Sequence, residues 1–220
     1  MTVDEDEDEP CGADCTPYAL ALRPVRGPVY LRLADGRRIR MPAHRWHARP
    51  TAADRRVLER CAGPVLDVGC GPGRLCRELL SRGVFALGVD IAPRAVALTS
   101  ALGGLALCRS VFDRLPAERG WQTLLLIDGN IGIGGDPHSL LRRCGGLLSP
   151  TGRLVIEVES DDVEESCTAR LEDARGRSGP PFPWARLGRE ALHRIAGNLA
   201  LSVTDEWTSG RRCFVTARFR

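Results

Sequence analysis

Val65-Leu66-Asp67-Val68-Gly69-Cys70-Gly71-Pro72-Gly73-Arg74-Leu75 is the stretch that decides the fold of this 220-residue chain. The first four residues form a short, mostly apolar run and read as a buried strand. Three glycines follow at alternate positions. Glycine allows a tight turn and a close approach of backbone to ligand. A helix begins at Arg74, and its first N–H groups are free to meet an anion.

Downstream of this unit, strand and helix signals alternate. Strands are expected at Val65–Val68, Ala86–Val89, Ala106–Phe112, Thr123–Asp128, Arg153–Val158, Leu199–Asp205 and Cys213–Phe219. Helices are expected at Arg74–Arg82, Pro93–Leu102, Pro137–Leu148 and Leu187–Asn198. Alternation of this kind implies a mostly parallel sheet covered on both faces. Thr51, with Asp54 three residues on, marks the cap of a further helix that ends before Gly63-Pro64. Asp136-Pro137 is a cap followed by a first-turn proline. The last two strands have no helix between them, which predicts an antiparallel hairpin turning around Glu206–Gly210. The expected class is α/β: a Rossmann-like, doubly wound, mostly parallel seven-stranded sheet with an antiparallel C-terminal strand.

Upstream, residues 28–41 alternate apolar and polar on either side of Ala34-Asp35-Gly36. A two-residue Asp-Gly turn would set Leu31 opposite Arg40. A three-residue loop sets Leu31 opposite Ile39 and Val29 opposite Met41, with Gly36 in the left-handed position. The second reading matches the faces and predicts an N-terminal β-hairpin. Residues 1–27 read as an acidic tail and loop, and 28–220 as one domain including the hairpin.

Strand two ends in Asp90, 21 residues after Gly69, where an acid can meet ribose hydroxyls. A nicotinamide enzyme would carry GxGxxG, but here the third glycine is Gly73 and Arg74 stands where that motif needs glycine. The run Leu66–Gly73 resembles the glycine-rich motif of class I S-adenosylmethionine-dependent methyltransferases, and the resemblance extends from about Thr51 to Phe219. It implies S-adenosyl-L-methionine as cofactor and S-adenosyl-L-homocysteine as product. By this resemblance Asp67, Gly69, Cys70, Gly71 and Gly73 line the methionine end. Asp90 and Ile91 hold the ribose and flank the adenine, and Asp113 meets the adenine amino group. Asp128, Asn130 and Ile131 border the methyl group. The N-terminal hairpin is not part of the family's common core.

The expected reaction is an in-line displacement by an O or N nucleophile of a small-molecule acceptor. A base is needed only if that nucleophile starts protonated. His138, Glu159 and His47 are the candidate catalytic groups. His47 lies just before the first helix, where this fold places a lid. Phe182 and Trp184, in a proline-rich segment read as a loop, are candidate substrate walls. Two alternatives stand beside this reading. One is a soft sulfur or metalloid acceptor, suggested by nine cysteines. The other is a non-catalytic cofactor-binding protein acting through a partner.

Composition narrows the field. Six consecutive acids, Asp4 to Glu9, leave a remainder with 31 bases against 22 acids, and every base is arginine. With no lysine, and with Ala, Gly and Pro abundant, this looks like coding bias more than a nucleic-acid footprint. No cysteine or histidine spacing suits zinc, so no metal is expected. No apolar run is long enough to span a membrane, and the start of the chain is not a signal peptide, so a cytoplasmic location is expected. The cysteines read as reduced thiols, with Cys61, Cys76, Cys108 and Cys144 in the core. The oligomeric state is left open.

Overall fold

A computed structural model describes Leu22 and residues 27–220; the expected acidic tail, with Cys11 and Cys15, lies outside the described residues. Seven strands form the main sheet: β3 (Val65–Val68), β4 (Ala86–Asp90), β5 (Ala106–Cys108), β6 (Trp121–Leu126), β7 (Leu148–Val158), β10 (Leu201–Ser209) and β11 (Arg212–Phe219). Their order is β10-β11-β7-β6-β3-β4-β5. β3 to β7 pair in parallel, while β11 runs antiparallel to both β7 and β10. This is the expected Rossmann-like sheet.

The central strand β6 and its continuation explain why both faces are covered. Leu124 and Leu126 point to one side and Leu125 and Ile127 to the other, and all four are buried. α2 (Ala52–Leu58) and α3 (Arg74–Ser81) supply Val57, Leu58, Leu75 and Leu79 to the second side. α5 (Pro137–Leu147) and α6 (Arg189–Asn198) supply Leu140, Leu141, Leu147 and Leu192 to the first. α4 (Pro93–Ala101) follows β4. The caps are those read from the sequence. Thr51 and Asp54 form a reciprocal capping box on α2, and Asp136 accepts bonds from the N–H groups of His138 and Ser139.

The hairpin β1 (Val29–Leu33) and β2 (Arg38–Met41) has the three-residue-loop register, Leu31 opposite Ile39 and Val29 opposite Met41, and Gly36 has φ 90°. It does not stand alone. Two strands absent from the sequence reading, β8 (Glu164–Glu172) and β9 (Phe182–Leu187), join it in an antiparallel sheet of order β2-β1-β8-β9. The segment with Phe182 and Trp184 is therefore an edge strand and not a loop. The first of three smaller corrections concerns the third parallel strand, which ends at Cys108 and not Phe112. Cys108 is exposed on that edge strand, and Cys61 is only partly buried. The C-terminal hairpin runs on to Ser209 opposite Arg212, so its turn is Gly210-Arg211.

Candidate active site

Gly69, Gly71 and Gly73 have φ of 70°, 54° and 75°, all in the left-handed region. Alternating glycines are what allow the chain to reverse here between β3 and α3. Asp90 fixes the turn from the neighbouring strand: one carboxylate oxygen accepts from the Gly71 N–H at 3.0 Å and the other from the Ala92 N–H at 2.9 Å. Asn130 holds the other side, its Nδ2 donating to the carbonyls of Val68 (2.7 Å) and Gly69 (3.0 Å). α3 then opens at Gly73 with no side-chain cap, so its first-turn amides keep donors for an anion.

The turn floors a cavity of about 870 Å³. On the floor side it is lined by Asp67, Gly69, Cys70, Gly71, Arg74, Asp90, Ile91, Ser110, Phe112, Asp128 and Asn130. The roof is the four-stranded sheet with the short helix α1 (Ala43–Trp46). It contributes Leu31, Met41, Trp46, Leu171, Phe182 and Trp184, joined by three prolines of the 180–183 run.

Beneath the cavity lies a closed ring of charge. Arg212 Nε and Nη2 grip Glu157 at 2.7 Å each, Nη1 reaches Asp54 at 2.8 Å, and Nη2 reaches Asp128 at 3.1 Å. Arg74 pairs with Asp54 and with Asp128 (2.5 Å). Glu157 also accepts from the Asp128 N–H at 2.7 Å. These contacts hold Asp128 at φ 57°, a left-handed conformation rare for a residue with a side chain. Burial alone would raise the pKa of Asp54, but the two guanidiniums overcome it and hold the carboxyl well below its usual range. Asp67 is the opposite case. Burial pushes it up to about 7, against the lowering effect of the Cys76 thiol, whose Sγ lies 3.5 Å from Oδ2.

The sequence candidates divide into two groups. Asp67, Gly69, Cys70, Gly71, Asp90, Ile91, Asp128, Asn130, Phe182 and Trp184 all line the cavity. Gly73 does not; a Cβ there would collide with Thr99, so it serves the packing of the turn on α4. Ile131 is buried in the core, and Ile133 and Gly134 border the cavity in its place. Asp113 is spent on its own turn, accepting the Ser110 N–H at 3.0 Å, and Phe112 takes the lining position.

The three catalytic candidates also lie outside the cavity. Consecutive helical residues point about 100° apart, so with Trp46 turned inward His47 is left exposed. Glu159 is paired with Arg186 at 2.9 Å. His138 sits on a shallow depression beside Arg186, with Nδ1 3.5 Å from Arg142.

Leu31, Met41, Trp46, Leu171, Arg74 and Phe112 went unread as lining residues. Trp46 had a signal, an aromatic residue between the two histidines, but Arg212 had none, since its partner Asp54 is 158 residues away.

A doubly wound sheet with this turn, the acid ending β4 and the cavity at the strand ends is the architecture of a class I methyltransferase. Residues 65–152 match the family model described as a methyltransferase domain. Among solved structures, an S-adenosylmethionine-dependent methyltransferase from Bacteroides fragilis, in complex with S-adenosyl-L-homocysteine, is 20% identical with a TM-score of 0.79, covering 95% of this chain and 97% of that one. The sugar N-methyltransferase KedS8 from Streptoalloteichus is 17% identical with a TM-score of 0.56, covering 80% and 88%. A 1,6-didemethyltoxoflavin-N1-methyltransferase from Burkholderia thailandensis is 21% identical with a TM-score of 0.52, covering 70% of each chain. No curated protein matches. Residues 65–152 thus match a methyltransferase domain, and the chain has the fold of S-adenosylmethionine-dependent methyltransferases.

The residues present fit that cofactor. Arg74 lines the cavity beside the uncapped helix start, and its buried Nε has no hydrogen-bond partner, a donor suited to a methionine carboxylate. Ile91 and Phe112, 73% and 45% exposed at the rim, are apolar surfaces that an adenine would cover. Among the described residues, no helix is long and apolar enough to cross a membrane.

Proposed function

We propose that the chain transfers the methyl group to an O or N nucleophile of a small-molecule acceptor that enters under the four-stranded roof. The observation carrying this is the continuity of one cavity from the glycine turn to an apolar roof. A purely cofactor-binding protein would close the pocket at the methyl group. Bound on the floor, S-adenosylmethionine supplies an already activated methyl. The chain's residues then bind, align and exclude water, which can account for much of the acceleration.

In this reading Asp90 holds the ribose, the α3 amides and Arg74 take the carboxylate, and Asp67 faces the amino group. Asp128, held by Arg74 and Arg212, keeps the loop beside the methyl group in place. Three of the cysteines lend a soft-sulfur acceptor no support. Cys61 and Cys144 are pushed by burial to about 12, and Cys76 is also raised, by its contact with Cys70 and by burial, so these remain thiols.

Calorimetry with S-adenosylhomocysteine tests the reading. Micromolar binding is expected, on the order of −8 kcal/mol. Asp90→Ala should weaken it by a few kcal/mol, from charge-assisted bonds worth roughly 1.5–3 kcal/mol each. Binding of NAD in place of S-adenosylhomocysteine, or an unchanged affinity in folded Asp90→Ala, would overturn it.

A further inference from the structure

The roof half of the cavity says what kind of acceptor fits. Its walls come from β1, β2, α1, β8 and β9, and the lining side chains they offer are Leu31, Met41, Trp46, Leu171, Phe182 and Trp184. None is charged. Pro180, Pro181 and Pro183 stiffen the approach to β9, because each ring fixes its φ.

Trp184 is anchored on two sides. Phe182 meets it edge-on, with ring centroids 5.9 Å apart. Its indole also lies so close to Gly132 that a Cβ there would sit 2.8 Å from Cε2. A rigid indole on an apolar wall is a stacking surface for another ring, since aromatic pairs gain stabilisation beyond their buried area.

The acids that line the cavity are already committed. Asp90 holds the Gly71 and Ala92 amides, Asp128 is held by Arg74 and Arg212, and Asp67 is buried against Cys76. Among the described residues the roof lining offers no charged partner, so a charged acceptor would lose its hydration there uncompensated, which is costly.

We propose that the acceptor is an uncharged, planar, aromatic or heteroaromatic molecule that packs against Trp46 and Trp184, and that these two residues determine specificity. This rests on the methyltransferase reading and deepens it. The acceptor's lone pair forms the bond to the methyl carbon as the carbon–sulfur bond breaks, with that pair passing to sulfur. Any proton the acceptor carried on the attacking atom leaves to solvent.

The test uses the whole chain saturated with S-adenosylhomocysteine and three probes: 2-naphthol, its anionic counterpart 2-naphthoate, and the non-aromatic cyclohexanol. Calorimetry should show 2-naphthol binding at least about tenfold more tightly than either other probe. Trp184→Leu and Trp46→Leu should each weaken 2-naphthol about tenfold while S-adenosylhomocysteine affinity stays within about threefold. Leucine keeps the wall apolar, and the second titration confirms a folded floor.

The proposal is overturned if 2-naphthoate or cyclohexanol binds as well as 2-naphthol. It is also overturned if both tryptophan variants bind 2-naphthol as the wild type does, or if 2-naphthol does not bind up to the millimolar range. Failure of S-adenosylhomocysteine itself to bind would instead strike the underlying methyltransferase reading, so the two failures are separable.

Discussion

Replacing Arg212 with methionine should unfold the floor of the site from beneath. Arg212 is 10% exposed and its four bonds tie together Glu157, Asp54 and Asp128, which are 12%, 0% and 13% exposed. Methionine keeps most of the volume and removes the charge. Asp54 and Asp128 then keep Arg74 while Glu157 loses its bond to Arg212, and Arg45 of α1 lies in electrostatic reach of Asp128 and Glu157. Removing one partner of a buried ion pair costs about 3–5 kcal/mol, because the charges left behind stay desolvated. For a chain of this size that is a fall in Tm of about 6–20 °C, at roughly 2–4 °C per kcal/mol.

The pH dependence supplies a second signature. Asp54 is held below its unfolded pKa, so its contribution is present above about 4 and is lost as pH falls through the acid range. The gap between wild type and Arg212→Met should therefore be widest near neutral pH and shrink in acid. Urea denaturation followed by circular dichroism across that range measures both. A loss below about 1 kcal/mol at neutral pH, with an unchanged m-value, would refute the claim that this ring carries stability.

Two further outcomes follow from the same geometry. Asp67 keeps a proton up to about pH 7 in the folded state, whereas unfolded aspartate releases it near 4, so wild type loses stability as pH rises through that window. Asp67→Asn should flatten the slope by a few kcal/mol, and denaturation curves with an identical slope would show that burial does not govern this carboxyl. Gly132→Ala would drive a methyl into the Ala185 carbonyl and the Trp184 indole, costing about 1–3 kcal/mol as overpacking. A variant with wild-type Tm would mean that β9 shifts without penalty.

The parallel core was legible because its signals are local. A buried apolar run, a glycine turn and an acid at fixed spacing report their own conformation, and the hairpin register followed from matching faces across a counted loop. The roof was not legible for equally physical reasons. Glu164–Glu172 is exposed or half-exposed over its first five residues, so it reads as polar and without a face. Pro183 argued against a strand, yet β9 is the free edge of its sheet, where proline removes no ladder bond. The cavity floor could be read from Leu66–Gly73 and Asp90. The charge ring could not, since Asp54, Arg74, Asp128, Glu157 and Arg212 come from five separate elements or loops. The histidines lie outside the cavity, since position along the chain does not say which way a side chain turns.

The pairing of β1 with β8 has a consequence for the timing of synthesis. Leu31 lies opposite Leu171, and Arg32 bonds to Glu172 across 140 residues. At about 5–20 residues per second, roughly 7–28 s pass between the appearance of the first strand and that of its neighbour. Throughout that interval Val29, Leu31 and Leu33 have β2 on one flank only, and the other flank is an unpaired edge open to any passing strand. The roof of the cavity can therefore close only once Leu187 has been made, with α6, β10 and β11 still to follow. Its early half is the segment most exposed to mispairing while the chain is still growing.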